Sequence, residues 1–291
     1  MTFAAALIRE ARPKQWLKNV LVFAGPAAAS LLDSWDVIAE TLLIFAGFCL
    51  AASGTYFLND VIDVHHDRNH PLKRLRPVAA GKISTTQAST VGVVLMLSGV
   101  VVAGLPRIES GGIVLLYVAL TVSYSVYLKR VPLLELAIIA SGFVLRAMAG
   151  AAGTDTPMST WFVLCITFGS FFVASGKRFA EVKEFGEGDT ATREGLSAYS
   201  LNYLRQLIVF SCTATAIAYF LWAFENASGA DSDFPFFELS IVPMVLALLR
   251  YLMVLESGQG GAPEDVFIKD AAIRYYALAW LVMYVVGVYV Q

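Results

Sequence analysis

Long apolar stretches separated by short polar segments dominate this sequence. Nine of them approach the roughly 20 residues that a helix needs to cross a bilayer. They are centred near residues 16–32, 36–58, 84–104, 112–128, 132–151, 159–176, 203–223, 236–255 and 272–290. Because a single segment in lipid has to satisfy its own backbone hydrogen bonds, each stretch is predicted to be a helix. The sequence therefore predicts an all-α, polytopic membrane protein with nine transmembrane helices, in which residues 1–291 form a single domain.

The composition supports this fold class. Only 15% of the residues are charged, whereas a soluble domain carries about 25%. This excludes an ordinary water-soluble enzyme and a disordered chain. The 21 Lys and Arg nearly cancel the 23 Asp and Glu, giving a net charge of −2. The chain therefore lacks the basic excess that nucleic-acid binding needs, and its expected environment is the lipid bilayer.

The Lys and Arg side chains fall on alternate connections between the predicted helices. Nineteen of the 21 lie on the side that holds the N-terminus, Arg107 lies on the other side, and Arg146 lies within an apolar stretch. Because short cytoplasmic loops are enriched in Lys and Arg, we expect a multi-pass protein of the cell membrane with a cytoplasmic N-terminus. Nine crossings then place the C-terminus outside.

An acidic segment follows the second stretch, with Asn59, Asp60, Asp63 and Asp67 at helical spacing. If the helix continues past the membrane, these side chains share one face. Three stacked carboxylates repel one another unless cations neutralise them. Hard oxygen ligands suit Mg²⁺, with Mn²⁺ as an alternative ion, and Mg²⁺ commonly bridges carboxylates to a substrate's phosphates. A solvated acidic helix end is the alternative interpretation.

Cations come directly after this segment, at Arg68, Lys73, Arg74 and Arg76. Basic side chains beside a metal-binding acidic segment are what a diphosphate site requires, because metal and cations share the phosphate charge. Anchoring to lipid headgroups also explains the charges, although it does not explain why prolines and an acidic helix accompany them.

A second polar helix end closes the sixth stretch, with Lys177, Arg178 and Glu181. An ion-paired helix end is its alternative interpretation. The two polar ends follow the second and sixth stretches, four helices apart. This spacing suggests two similar helical halves that face one another across a cavity open to the cytoplasm.

Weaker signals lie elsewhere. Tyr124 and Lys129 end the fourth stretch, where interfacial Tyr and Lys are routine. A charge within a membrane span is a functional hypothesis by default, and Arg146 is either a site residue or the partner of a buried acid such as Glu135. The roles of Glu264, Asp265 and Asp270 stay open.

Taken together, these segments resemble the UbiA superfamily of intramembrane prenyltransferases, and within it the branch of decaprenyl-phosphate phosphoribosyltransferases. The residues that carry the resemblance are Arg12-Pro13-Lys14-Gln15-Trp16-Leu17-Lys18-Asn19, Asn59-Asp60 with Asp63 and Asp67, Lys73-Arg74 with Arg76-Pro77 and Gly81, Tyr124 with Lys129, Gly176-Lys177-Arg178-Phe179-Ala180-Glu181, and Pro263-Glu264-Asp265. The resemblance runs along nearly the whole chain and implies a UbiA-like helical fold.

One departure separates the chain from the prenyltransferases of that superfamily. Those enzymes usually carry a second aspartate-rich motif at the end of the sixth helix, where this chain has Lys177, Arg178 and Glu181. The exchange removes metal-binding capacity and adds anion-binding capacity. It favours a substrate with an additional phosphate, such as phosphoribosyl pyrophosphate.

The resemblance thus implies an Mg²⁺-dependent enzyme that transfers 5-phosphoribose from phosphoribosyl pyrophosphate to a polyprenyl (decaprenyl) phosphate, for arabinan and cell-wall precursors. Asp60, Asp63 and Asp67 would be its catalytic carboxylates and, with Asn59, its metal ligands. The implied substrate-binding residues are Lys18, Asn59, Arg68, Lys73, Arg74, Arg76, Tyr124, Lys129, Arg146, Lys177, Arg178 and Glu181.

Two other classes of function stay open at the level of sequence. A UbiA-type aromatic prenyltransferase would use a polyprenyl diphosphate instead. A transporter or lipid-binding protein would perform no catalysis, although transporters more often carry polar residues near mid-membrane. The chain length of the acceptor is open as well, as is the choice between a monomer and a homo-oligomer.

Overall fold

The computed structural model describes residues 2–185, 198–228, 234–258, 261 and 263–289, and within them the chain forms helices and no strand. The α-helices are α1 (Phe3–Glu10), α2 (Ala24–Ala28), α3 (Trp35–Ile62), α4 (Val64–Asn69), α5 (Thr85–Ala103), α6 (Ile108–Val126), α7 (Leu134–Gly153), α8 (Thr160–Phe185), α9 (Leu201–Ala227), α10 (Phe236–Glu256), α11 (Pro263–Lys269) and α12 (Ala271–Tyr289). Three 3₁₀ helices cover Pro13–Phe23, Lys73–Leu75 and Leu128–Arg130.

Eight helices in the described part of the chain are long and apolar enough to cross a membrane, and they coincide with the last eight predicted stretches. They are α3, α5, α6, α7, α8, α9, α10 and α12. Large apolar side chains on these helices stay exposed, for example Leu97 on α5 and Phe210 on α9. Apolar surface of this extent marks contact with lipid. The predicted all-α, multi-pass membrane fold is confirmed.

The first predicted span, residues 16–32, takes a different form, so the described chain has eight long helices and not nine. Arg12 has a left-handed backbone with φ of 51°, and the 3₁₀ helix that follows leads into the short α2. A 3₁₀ helix rises about 2.0 Å per residue and an α-helix about 1.5 Å, so the two segments extend about 30 Å together. That length matches the hydrocarbon core of a bilayer.

The chain divides into two compact units. Unit one comprises Met1–Lys129 and Leu145–Pro157, and unit two comprises Arg130–Val144 and Met158–Gln291. The first half of α7 therefore belongs to unit two and its second half to unit one.

In unit one, α3 and α5 pack with their backbones in close approach. A Cβ atom added at Gly99 of α5 would lie only 2.6 Å from the carbonyl oxygen of Gly47 on α3. Small residues serve this purpose in membranes, where lipid is as apolar as the side chains and tight packing has to hold helices together. Beside the contact, Ile44, Phe48 and Val114 are fully buried. This packing fixes α3, whose C-terminal end carries the acidic segment.

In unit two, α8 packs against α9 and α10 against α12. Phe172, Leu204 and Leu255 belong to the buried apolar cluster between these helices. Gly176 leaves room for Leu255, because a Cβ atom at that glycine would lie 2.7 Å from the leucine Cδ1. The contact fixes the polar end of α8.

Candidate active site

The acidic segment lies where α3 passes into α4. Asn59 and Asp60 occupy the last turn of α3, Asp63 is the residue between the helices, and Asp67 lies on α4. The amide of Asp63 donates to the carbonyl of Asn59 at 2.9 Å, and the amide of Asp67 donates to that of Asp63 at 2.8 Å. The backbone is thus nearly continuous from α3 into α4, and α3 itself continues to Ile62, beyond the predicted stretch 36–58.

Asp60 is the centre of this site. Its side chain is 1% exposed, and Nη2 of Arg12 donates to both carboxylate oxygens at 2.5 and 2.7 Å. Arg76 donates from Nη1 to Asp60 at 3.1 Å and to Asp67 at 2.7 Å, so one guanidinium joins two buried carboxylates. A buried carboxylate needs such partners because leaving water costs several kcal/mol per ion.

Asp63 has a different partner. Nζ of Lys129, in the 3₁₀ turn after α6, donates to its carboxylate at 2.5 Å. The two residues are 66 positions apart in sequence. The side chain of Asp63 is 23% exposed and that of Asp60 only 1%, so solvent reaches the carboxylate of this pair but not that of the Asp60 pairs.

Arg12 reaches Asp60 from the arm before the first membrane segment. Its left-handed backbone is uncommon for a residue with a side chain and costs energy that the surrounding contacts have to offset. The guanidinium lies 4.8 Å from the ring centroid of Tyr56, one turn before Asp60 on α3. Ser53, a further turn back, donates its hydroxyl to the carbonyl of Ala11 at 3.0 Å. Three turns of α3 thus hold the arm in place.

The arm also brings a carboxylate that the sequence analysis missed. Glu10 ends α1, is 1% exposed, and neither of its carboxylate oxygens has a hydrogen-bond partner. Burial, followed by the adjoining carboxyl group of Asp60, raises the pKa of Glu10 to about 8. The only sequence signal is that Ala6 and Glu10 lie four residues apart, on the face by which α1 packs.

Arg146 is buried within the part of α7 that belongs to unit one. Its Nε donates to Oδ1 of Asn19 at 2.7 Å, and its Nη2 donates to the hydroxyl of Tyr117 at 3.3 Å. The guanidinium also lies over the rings of Tyr117 and Phe48, at 4.8 and 5.4 Å from their centroids. Amide, hydroxyl and aromatic groups hold this cation, whereas Glu135, the alternative partner considered from sequence, binds another arginine.

That arginine is Arg178 of unit two. Its Nε and Nη2 donate to the two carboxylate oxygens of Glu135, each at 2.9 Å, and its Nη1 donates to Glu181. The guanidinium side chain is 2% exposed, while the neighbouring Lys177 is exposed. Glu135 and Glu181 therefore pair with an arginine that the sequence predicted to bind a phosphate.

Comparison with known protein families matches residues 20–273 to the UbiA prenyltransferase family. The chain belongs to this family. The match includes the acidic segment at the end of α3, Lys129, and the polar end of α8, and it confirms the resemblance seen in the sequence.

Curated relatives of this UbiA-family chain are similar along nearly its whole length. It is 37% identical over 295 residues to the decaprenyl-phosphate phosphoribosyltransferase of Corynebacterium glutamicum. The aligned region covers 99% of this chain and 88% of that protein. It is 38% identical over 281 residues to the protein of the same name from Mycobacterium tuberculosis, covering 95% of this chain and 92% of the relative.

Solved structures of UbiA homologues share the fold. The structure from Archaeoglobus fulgidus described as bound to GPP and Mg²⁺ has a TM-score of 0.73 and covers 97% of this chain and 98% of the other. A structure of the same protein described as bound to Cd²⁺ has a TM-score of 0.68. Both are 14% identical to this chain, so the likeness concerns the fold alone.

The four predicted metal ligands do not converge on one point. Among the residues that the structure describes, no three His, Cys, Asp or Glu side chains are grouped so as to hold a metal ion. The physical reason is that Lys129 draws Asp63 to one side, while the arginines hold Asp60 and Asp67. The chemistry of the donors nonetheless suits a hard divalent cation, because they are carboxylate and amide oxygens and Glu10 adds a buried carboxyl group beside Asp60.

The other predicted site residues lie around this centre or in unit two. Lys73 and Arg74 are exposed on the turn after α4, and Arg68 donates to the carbonyl of Ala79 at 3.2 Å. Lys18 and Tyr124 are half-buried. Their roles stay predictions.

Two of the acids left open by the sequence analysis have defined partners in unit two. Asp270 accepts hydrogen bonds from Arg250, the closest at 2.9 Å, and from the backbone amide of Ile273, so it caps α12. Asp265 pairs with Lys269, four residues along α11. The side chain of Glu264 lies outside the described part.

Proposed function

We propose that this UbiA-family membrane protein transfers 5-phosphoribose from phosphoribosyl pyrophosphate to a polyprenyl phosphate, decaprenyl phosphate being the expected acceptor. The proposal rests on one observation. Nearly the whole chain is similar to relatives named decaprenyl-phosphate phosphoribosyltransferase, with 37% and 38% identity. The site geometry supports it, since Asp60 and Asp67 meet Arg12 and Arg76 in one buried cluster.

A divalent cation, Mg²⁺ or Mn²⁺, is part of the proposal. Asn59, Asp60, Asp63 and Asp67 are the residues proposed to hold it, in a family whose Archaeoglobus homologue is described as binding Mg²⁺ together with a prenyl diphosphate. When bound, such an ion neutralises the negative charge that builds up on a departing diphosphate.

The cations of the cluster have a role in binding the same diphosphate. Arg12, Arg76 and Lys129 pair with the site carboxylates in this structure. With a metal ion on those carboxylates, the guanidinium and ammonium groups would donate to phosphate oxygens instead. Arginine suits this exchange because its planar fork of N–H groups binds carboxylate and phosphate alike. Arg68, Lys73 and Arg74 lie at the exposed edge.

The reaction at the ribose needs little proton transfer. The C1–O bond to the diphosphate breaks and its electron pair leaves with the diphosphate, while an oxygen of the acceptor phosphate forms the new bond to C1. The acceptor phosphate is already anionic at neutral pH, so no strong general base is required. The chain's own residues bind and orient the two anions and stabilise charge as it develops.

At the polar end of α8 in unit two, Lys177 and Arg178 differ in their availability to a further phosphate. Lys177 is exposed, whereas Arg178 is enclosed by Glu135 and Glu181. We therefore assign Lys177 to the 5-phosphate or the acceptor phosphate, and we assign Arg178 and Glu181 to holding the end of α8 in shape. Arg146, Lys18 and Tyr124 are retained as candidate binding residues of unit one.

The proposed topology has the N-terminus and the site in the cytoplasm, where phosphoribosyl pyrophosphate is available, and places the protein in the cell membrane. The C-terminus lies outside if the segment from Pro13 to Ala28 crosses the bilayer together with the eight long helices. Cysteine accessibility labelling at either end of the chain measures this.

Purified protein in detergent tests the function through a matrix of donors and acceptors. With labelled phosphoribosyl pyrophosphate, Mg²⁺ and decaprenyl phosphate, we expect a labelled lipid and free diphosphate. No labelled lipid, with activity instead on a prenyl diphosphate and 4-hydroxybenzoate, would establish the aromatic prenyltransferase and overturn the proposal. Glu109→Gln, at the exposed start of α6, is a matched control that should react like the wild type.

A further inference from the structure

The N-terminal arm, defined as α1 together with Ala11 and Arg12, is fixed to the cytoplasmic part of α3. Its contacts are the Ser53 hydroxyl, the Tyr56 ring and the Asp60 carboxylate, which follow one face of α3. The last residue of α1 is Glu10, so this fixed arm sets the position of the Glu10 carboxylate against α3.

The Glu10 carboxylate is buried and has no donor to satisfy it. Its side chain is 1% exposed and both oxygens lack a hydrogen-bond partner, although two arginines lie nearby. Arg12 and Arg76 instead direct their hydrogen bonds to Asp60 and Asp67. A buried acceptor left unsatisfied costs about 1–3 kcal/mol, and more if it is charged.

The neighbour of Glu10 is another carboxylate. The carboxyl groups of Glu10 and Asp60 adjoin each other closely enough to share a hydrogen bond when one of them is protonated, and both are only acceptors when ionised. Two such groups side by side repel unless a proton or a cation lies between them. In the Arg178 cluster, by contrast, both Glu135 and Glu181 accept hydrogen bonds from the arginine.

We propose that Glu10 joins Asp60 in binding the divalent cation of this site, each through a carboxylate oxygen, with water and diphosphate oxygens among the other ligands. Two carboxylates are enough, because Mg²⁺ usually keeps several waters and binds through one or two carboxylates plus substrate phosphates. Displaced from Asp60, the Arg12 side chain is then available to a diphosphate oxygen. The inference rests on the proposed function, since it adds a residue to the same site.

Metal binding without substrates tests this directly. Full-length protein in detergent is titrated with MnCl₂, and bound Mn²⁺ is measured by electron paramagnetic resonance. We expect Glu10→Gln to raise the Kd for Mn²⁺ about tenfold or more, within the range seen when groups that support a metal site are removed. Glu109→Gln, the exposed control, should keep the wild-type Kd. No phosphoribosyl donor or lipid is present, so failure of the transfer reaction and failure of this proposal are separate results.

Thermal unfolding separates a metal ligand from a merely structural residue. Without metal, Glu10→Gln should unfold at the wild-type temperature or above it, because it removes one of two facing carboxylates and its amide can donate to Asp60. MnCl₂ should then raise the unfolding temperature of the wild type and raise that of Glu10→Gln much less.

A wild-type Kd in Glu10→Gln, or no Mn²⁺ binding by the wild-type protein, would overturn the proposal. Should Glu10→Gln fail to fold, Glu10→Asp takes its place, because it keeps the carboxylate but shortens its reach. An unchanged Kd in Glu10→Asp would then count against the proposal, and a raised Kd would support it.

Discussion

Two buried ion clusters, one in each unit, use similar residues to different ends. In unit two, Arg178 lies between Glu135 and Glu181 and donates to both. In unit one, Arg12 pairs with Asp60, and Arg76 pairs with both Asp60 and Asp67. Glu10 lies beside Asp60, and no arginine donates to it. The first cluster is complete as it stands. In the second, no arginine donates to Glu10, and the oxygens of this buried carboxyl group are left for the proposed metal ion.

The comparison shows that charged residue types alone do not distinguish a binding site from a structural ion pair. Both segments have basic and acidic residues at helical spacing, and both were candidate phosphate sites in the sequence. What separates them is whether the partners in the fold use up the hydrogen-bonding capacity of the charged groups.

The largest expected effect is on stability, in unit two. Arg178→Met leaves Glu135 buried without its bidentate partner, and removing one member of a buried pair costs about 3–5 kcal/mol. We expect a lower unfolding temperature in detergent and a poor yield of folded protein. The double variant with Glu135→Gln should recover much of the loss, and a single variant as stable as the wild type would show that the cluster is not structural.

The next effect is on activity, in unit one. Asp60→Asn removes the charge that Arg12 and Arg76 both bind, together with one proposed metal ligand. We expect turnover to fall about 100-fold or more, as when a group that stabilises developing charge is lost. The protein should still fold, since Glu10 leaves a carboxylate near Arg12. Turnover in membranes and size-exclusion chromatography of the same sample measure the two quantities.

A smaller effect on stability is expected at the ion pair between Lys129 and Asp63. Lys129→Met breaks the contact with Asp63, a pair whose side chains are 15% and 23% exposed. Its loss should change the free energy of unfolding by no more than about 1 kcal/mol. The apparent KM for phosphoribosyl pyrophosphate should rise severalfold in steady-state assays. An unchanged KM would remove Lys129 from the substrate site.

The smallest effect is a pH dependence at the start of α12. Hydrogen bonds from Arg250 hold the pKa of Asp270 below its usual value. A carboxylate with a lowered pKa adds stability above its unfolded pKa of about 3.9, and this contribution disappears as the pH falls through the lower, folded value.

The matched variant is Asp270→Asn, which can still cap α12 but carries no charge. We expect it to unfold at a slightly lower temperature than the wild type at pH 6, with the difference narrowing as the pH falls below the unfolded pKa of about 3.9. A difference that is the same at both pH values would contradict an effect of charge.

Much of the fold could be predicted from the sequence, because long apolar stretches in lipid have almost no choice but helix. The segment from Pro13 to Ala28 could not, since its 3₁₀ form depends on the left-handed Arg12 and on close packing of Val22 against Gly150 of α7. Hydrophobicity alone does not encode either feature.

The site shows the same division. Spacing indicated that Asn59, Asp60, Asp63 and Asp67 follow one another along a helix end, because that relation is local, but not that their side chains have separate partners. Their partners were harder to predict, since Arg12 is 48 positions from Asp60 and Lys129 is 66 positions from Asp63. Glu10 belongs to no recognisable pattern, and only the fold shows that it lies beside Asp60.

The central claim is that the cluster around Asp60 carries out phosphoribosyl transfer to a lipid phosphate. Mass spectrometry of the lipid formed from phosphoribosyl pyrophosphate and decaprenyl phosphate tests it most directly, with wild type, Asp60→Asn and Glu109→Gln compared at equal amounts of folded protein. We expect the wild type and Glu109→Gln to form decaprenyl phosphate extended by one phosphoribosyl group, and Asp60→Asn to form almost none of this product. The same product from Asp60→Asn at the wild-type rate would contradict it.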